Sequence, residues 1–335
     1  MVRVGGASLP GSRYGRLNQD YALVDSFQGG RFALVMDGHG MLGEKAAHHA
    51  AMAMASALKS SPLRSENVSS LSSDALQASM RDIFIAGHAA VLDLYDAPPQ
   101  FYNYPLQSPE QKRYVLSQHG DFKVYTHPTT GPRLLEFGTT ATLVIVQGET
   151  VVVAHVGDSL VAIGRRVDGG EGYDGEFLTR EHNGLDPEER QRLAEYAGKS
   201  MIVRAKDGYI SVTSLPPPMG VFSLSMSRAL GHQFMSDYGV IPDPVTVVYK
   251  LRSEDVMLIA ATDGVWEGLS AKVAIEHAVD AFAQGRSPDN VAFALCNESI
   301  ETVVKSGKSV RADNTSAVVF IFENIDKDDV DATNV

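Results

Sequence analysis

Residues 31–47 read RFALVMDGHGMLGEKAA. An apolar run ends abruptly in Asp37-Gly38-His39-Gly40, and an Ala/Met-rich stretch follows at once. The run 31–37 has the composition of a buried strand. The stretch 43–61, GEKAAHHAAMAMASALKSS, is built of helix formers and stops before Pro62, so the pattern predicts strand, turn, helix. A turn would be content with Asp-Gly alone. The added imidazole and second glycine imply that something approaches the backbone there.

The same device recurs downstream. DVMLIAATDGVWEGLS (255–270) is again an apolar run ending in Asp263-Gly264. GTTATLVIVQGETVVVAHVGDSLVAIGRR (138–166) holds three β-rich runs separated by QGET and VGDS, which predicts an antiparallel meander with Asp158 in a hairpin. DNTSAVVFIF (313–322) is a last buried strand entered through Asp313-Asn314, and Asp20 in NQDYALV precedes a fifth apolar run. Helices are predicted at 72–96, at 185–198 between Asp186-Pro187 and Gly198, and over AKVAIEHAVDAFAQG and PDNVAFALCNESIETVVKSG. Residues 97–135, with APPQFYNYP, SPEQ and HPTTGPR, read as a long irregular excursion, and 199–224, with LPPPMG, as irregular chain. The tail ENIDKDDVDATNV is acidic and expected to fray.

The bulk numbers exclude several classes. The 335 residues are 44% hydrophobic, enough for a substantial core. With 41 acidic against 29 basic residues the net charge is −12. That argues against nucleic acid or an anionic membrane as the main partner, since both call for a basic surface. Cys296 is the single cysteine, so no intrachain disulfide forms and nothing points to secretion. The start MVRVGGASLPGSRYG carries no signal-peptide core. No run approaches the roughly 18 apolar residues of a membrane span. The expectation is a monomer in the cytoplasm or nucleus.

Each strand-end aspartate alone is ordinary turn chemistry. Their repetition is not, if strands packed as a sandwich bring their ends to one edge. Clustered carboxylates stay ionised together only when cations hold them. Oxygen-only ligands select hard cations such as Mg²⁺ or Mn²⁺, and Gly38 lets a backbone carbonyl approach. Two ions about 4 Å apart sharing a carboxylate form the arrangement used for displacement at phosphorus by an activated water. His39, two residues past Asp37, then stands where a general acid would protonate the departing alkoxide.

With these residues assembled, the chain resembles the PPM family of metal-dependent serine/threonine phosphatases, also called type 2C protein phosphatases. The matching segments run in order: NQD (18–20), DGHG (37–40), GTTAT (138–142), VGDS (156–159), LTREH (178–182), SMSRALG (225–231), ATDGVWE (261–267) and DNTSAVV (313–319). The resemblance implies an α+β fold in which a central β-sandwich of two mainly antiparallel sheets is flanked by helices in four α-β-β-α layers. It implies a catalytic domain over 1–325, with an insertion at about 97–135, a flap at about 165–224, and an acidic tail at 326–335. It further implies a binuclear Mg²⁺ or Mn²⁺ site and phosphoprotein substrates. In that scheme Asp37 bridges both ions, Gly38 gives its carbonyl, Asp263 and Asp313 hold one ion, Asp20 acts directly or through water, and Asp158 with Asp263 marks the place of a third ion.

Three departures stand out. The family's Glu-Asp is here Gln19-Asp20, and Gln19 supplies no charge. The family's phosphate-binding arginine falls at position 15, which is Gly; Arg16 takes the role from a shifted loop, with Arg13 the alternative. The Asp usual after SRALG is His232, and LTREH carries Glu181 where Asp is usual. The competing reading is a catalytically weak or inactive member acting as a phosphoprotein-binding scaffold, and retention of the core aspartates separates the two. A cysteine-dependent tyrosine phosphatase fails because Cys296 is followed by NESIET, with no arginine. No G-x-x-x-x-G-K-[ST] loop occurs.

Overall fold

The computed structural model describes residues 2–322 apart from 28, 105–111, 168–171, 197 and 199, so the acidic tail lies outside the described residues. Two antiparallel sheets face each other. One runs Arg3–Leu9, Thr315–Ile321, Asp255–Ala261, Leu160–Arg166, Tyr173–Phe177. The other runs Leu230–Gly231, Phe137–Thr139, Gly30–Gly40, Ala141–Gln147, Thr150–Val156, Val245–Lys250, with Asp20–Phe27 also paired to Gly30–Gly40.

The unbroken apolar runs have a physical reason: these strands are buried on both faces. Successive side chains of a strand point opposite ways. Ala33 and Val35 therefore join Val144, Val153, Ile163, Leu258 and Val318 in the core between the sheets. Phe32, Leu34 and Met36 face outward into a second core with the helices Gly43–Ser60 and Ser73–Asp96. On the far side Met257, Ile259, Val319 and Ile321 pack against the helices Ala271–Ala283 and Pro288–Lys305. The layers are α-β-β-α, as the resemblance implied. The helix starts follow the sequence: the Ser72 and Ser287 hydroxyls accept from the amides of Ala75 and Asn290 at 3.2 and 3.3 Å, and Pro288 opens the last helix. Among the described residues no helix is long and apolar enough to cross a membrane.

Three expectations need correction. The described part of 97–135 is not irregular: Phe101–Tyr104, Lys112–His119, Phe122–His127 and Gly131–Leu134 form a four-stranded antiparallel sheet. Among its described residues Pro98, Pro99, Gly120 and Pro128 lie outside the strands, and the strands mix polar with apolar residues, so the apolar signal is weak. The 138–166 meander breaks after its second strand, because Leu160–Arg166 pairs with Asp255–Ala261 in the opposite sheet. Asp158 therefore sits at a crossover between sheets and not in a hairpin. Likewise 199–224 contains the small sheet Met201–Val203, Ile210–Val212, Phe222–Leu224. The helix expected at 185–198 spans Pro187–Leu193 and continues as a 3₁₀ turn, Ala194–Tyr196.

Candidate active site

The strand Gly30–Gly40 carries its hydrogen-bonding through the DGHG segment, with Asp37 opposite Asp20, Gly38 opposite Thr139 and His39 opposite Gly138. The Asp37 amide donates to Thr140 Oγ1 at 3.0 Å, and the Thr140 amide donates to the Asp37 carbonyl at 2.9 Å. Both glycines are required by space. A Cβ on Gly38 would lie 2.1 Å from the Gly43 carbonyl oxygen, and Gly40, at φ +82°, would meet the Glu136 carbonyl at 2.2 Å. The Gln19 side chain donates to the Gly40 carbonyl at 2.7 Å, so the amide that replaces a carboxylate here fastens the same turn.

The other carboxylates arrive from the facing sheet. Asp263 opens the short helix Asp263–Gly268 directly behind Asp255–Ala261, and Asp313 stands two residues before Thr315–Ile321. Those strands are paired, Ala261 with Ala317, which brings their ends to the same edge. Asp158 follows Thr150–Val156 and precedes Leu160, which pairs with Ala261. Asp20 and Asp158 are buried; Asp37, Asp263 and Asp313 are half-buried.

The electrostatics are those of crowded like charges. Burial first, then Asp263, Asp313 and Asp158, hold the Asp37 carboxyl well above the usual range. Burial, then Asp37, does the same to Asp20, against a 2.8 Å hydrogen bond donated by Thr262 Oγ1. Burial and then Asp158 raise Asp263 to about 6. Asp313 is raised by burial and Asp263, and Asp158 by burial, with His39 opposing.

The imidazole of His39 lies with Nε2 3.5 Å from Asp37 Oδ2. Behind it is the ring of His232, 6.2 Å away between centroids. His232 is buried, sits at φ +52°, and has Nδ1 3.5 Å from Glu136 Oε1. The loop before Asp20 sets Arg13 against a carboxylate of this edge and leaves Arg16 outside it. The Ser12 and Arg13 amides both donate to the Ala312 carbonyl at 2.9 Å, and a Cβ on Gly11 would meet the Asp313 carbonyl at 1.8 Å. Arg13 is thereby held against Asp313, with which it pairs, and lies 3.8 Å from Glu267. Arg16 is exposed.

The residues present suit a hard cation. The converging groups are all oxygens, and Asp158 Oδ1 is buried without a hydrogen-bond partner. Among the described residues, however, no three or more His, Cys, Asp or Glu side chains are arranged to hold a metal ion as they lie. One of the carboxylates, Asp313, is engaged by Arg13. Sequence reasoning missed the supports: Thr140, Thr262, and Asn314, whose Oδ1 accepts from the Gln19 amide at 3.0 Å. Thr262 and Asn314 lie in quoted motifs beside an aspartate, which is the signal that would have found them; Thr140, in GTTAT, meets Asp37 only through strand pairing.

Comparison with known proteins points the same way. A family model described as Protein phosphatase 2C matches residues 105–306, more than half of the chain. "Probable protein phosphatase 2C 41" of Arabidopsis thaliana is 31% identical over 139 residues, covering 42% of this chain and 39% of its own length. "Probable protein phosphatase 2C 48" of Oryza sativa subsp. japonica is 30% identical over 190 residues, covering 56% and 52%. The chain thus spans about half or less of these curated relatives. Among solved structures, a serine-threonine phosphatase 2C from Toxoplasma gondii superposes with a TM-score of 0.62 at 21% identity over 96% of this chain and 99% of its own, a likeness of fold.

Proposed function

This chain belongs to the protein phosphatase 2C family, and from that premise we propose that it hydrolyses phosphoserine and phosphothreonine in proteins with the help of divalent cations. The family is metal-dependent in general; the identity and number of the ions here are part of the proposal. The observation that carries the reading is the gathering of Asp20, Asp37, Asp158, Asp263 and Asp313 at one sandwich edge, each carboxyl pushed up by burial and most of them by one another. Asp37 and the Gly38 carbonyl, with Asp263, Asp313 and Asp20, would hold two ions, Mg²⁺ or Mn²⁺, and Asp158 with Asp263 a third. Bound there, the ions would supply the charge that keeps the carboxylates ionised together and would acidify the attacking water.

The remaining roles fall to the chain's own side chains. His39 holds a proton on the edge beside Asp37 and gives it to the serine or threonine oxygen as the P–O bond breaks. Arg13, anchored by the Ala312 carbonyl, offers its planar guanidinium to the phosphate dianion, exchanging Asp313 for it. This assigns to Arg13 the contact first given to Arg16. The scaffold alternative has no observation in its favour, since every core aspartate is present at the edge. The test is hydrolysis of a phosphothreonine peptide with and without added Mn²⁺ or Mg²⁺. Turnover is expected only with the ion, at millimolar-range concentrations, because carboxylate sites that keep several waters bind these ions weakly. Full turnover after exhaustive chelation would overturn the cation reading.

A further inference from the structure

The four-stranded insertion does more than decorate the sandwich. Its last strand, Gly131–Leu134, runs into Phe137–Thr139, which pairs with the DGHG segment itself. Its central turn reaches the flap: His119 Nε2 lies 3.0 Å from the Pro217 carbonyl oxygen, and Phe122 packs edge-on against Phe234 at 6.0 Å. Phe234 in turn meets Phe222 of the flap at 6.3 Å. Between insertion and flap lies a cavity of about 340 Å³. Its floor is His39 and Met41, one wall is Leu134, and the other is Leu215, Met219 and Val221. Leu215 is buried, whereas Val221 is 58% exposed at the rim.

We propose that this groove seats one large apolar side chain of the phosphoprotein substrate, within a few residues of the phosphorylated one. The inference rests on the phosphatase reading of the adjoining edge. Two observations choose the occupant. The groove is continuous with the proposed reaction edge through His39, so it lies open to a chain whose phosphate meets Asp37. Leu134 on one side and Leu215, Met219 and Val221 on the other give it an aliphatic stretch, and its volume is that of a small ligand site. The buried carboxylate in the lining, Glu136, is already taken up by the Tyr95 hydroxyl and the Phe234 and Met235 amides, and Arg133 stands exposed at the mouth, so a charged side chain would be desolvated there for little return. Contributions from both the insertion and the flap make this preference a property of the insertion as well as the core fold.

The test uses the whole chain with Mn²⁺ and a set of phosphothreonine peptides in a Gly/Ser background, Leu being placed at each flanking position in turn. An aryl phosphate too small to reach the groove is the control. At one or more positions Leu should raise kcat/KM about 10-fold over the all-Gly/Ser peptide, the scale of discrimination that apolar burial supplies. In Val221→Asp and Leu134→Asp that ratio should fall to about one. Equal kcat/KM for all peptides, with the aryl phosphate turned over, overturns the groove and leaves the phosphatase reading standing. Turnover of none of the substrates overturns both. An undiminished Leu preference in both variants also overturns the groove, since it would place the apolar contact elsewhere.

Discussion

His39 stands on a strand edge between two glycines that cannot be replaced without collision, 3.5 Å from Asp37 Oδ2. That placement makes a sharp demand on leaving groups. A threonine alkoxide departs poorly unless protonated, whereas a phenolate needs little help. His39→Ala should therefore lower turnover of a phosphothreonine peptide by about 100-fold or more, and that of an aryl phosphate by much less. Equal losses on the two substrates would remove His39 from the acid role. At this scale the sequence was legible for the aspartates but offered two arginines, Arg16 with Arg13 as the alternative, without choosing by geometry. Motifs name the carboxylates because strand and turn dictate where they point. Arg13 is favoured over Arg16 through the hydrogen bonds that the Ser12 and Arg13 amides make to the Ala312 carbonyl, a partner far along the chain that no local pattern marks. His232 is similar: its position behind His39, and the left-handed backbone that sets it there, follow from tertiary packing.

Among the elements, the short helix Pro187–Leu193 is joined to the SMSRALG segment by one buried carboxylate. Glu189 accepts from Arg228 at 2.6 and 2.9 Å, from Arg192 at 2.7 Å and from Ser227 Oγ at 2.6 Å. Burial pushes its carboxyl up, but the hydrogen bonds from Arg228, Arg192 and Ser227 outweigh that and hold it at about 2. Breaking a buried pair by removing one partner costs about 3–5 kcal/mol, so Glu189→Ala should unfold that much more easily at neutral pH. The pH dependence follows from the sign of the shift. A depressed folded-state value means the contribution is complete above the ordinary value of about 4.5 and is lost as pH falls toward 2. Denaturant melts of wild type and Glu189→Ala should thus differ most at pH 7, with a gap that narrows below about 4.5 and closes only as pH approaches 2; a gap unchanged with pH would contradict the ionised network. Element reading from sequence worked where both strand faces are apolar, as in Gly30–Gly40 and Asp255–Ala261. It failed for the strands of 97–135 and 199–224, whose mixed faces resemble loop, and it could not see that Leu160–Arg166 pairs across to the other sheet, because pairing partners distant in the chain leave no local mark.

The molecule as a whole is a device for bringing distant strand ends to one edge. Asp20 and Asp37 lie in one sheet and Asp263 and Asp313 border the other, with Asp158 at the crossover, so neither sheet alone holds the set. The motif order along the chain announced the family and with it the layered architecture; the groove between insertion and flap was invisible because it joins two segments that were read as irregular. The account turns on Asp37 as the shared ligand. Asp37→Asn keeps the size and the turn, but removes the charge that would let two dications sit about 4 Å apart. The decisive measurement is turnover of a phosphothreonine peptide by Asp37→Asn across a Mn²⁺ titration, beside wild type. The account predicts a loss of roughly 10³-fold or more that added Mn²⁺ does not restore, in a protein that still melts cooperatively. Since Asn serves an Xaa-Gly turn as well as Asp does, turnover close to wild type at any Mn²⁺ concentration would mean that Asp37 is a turn residue and that the cation site is not where the edge places it.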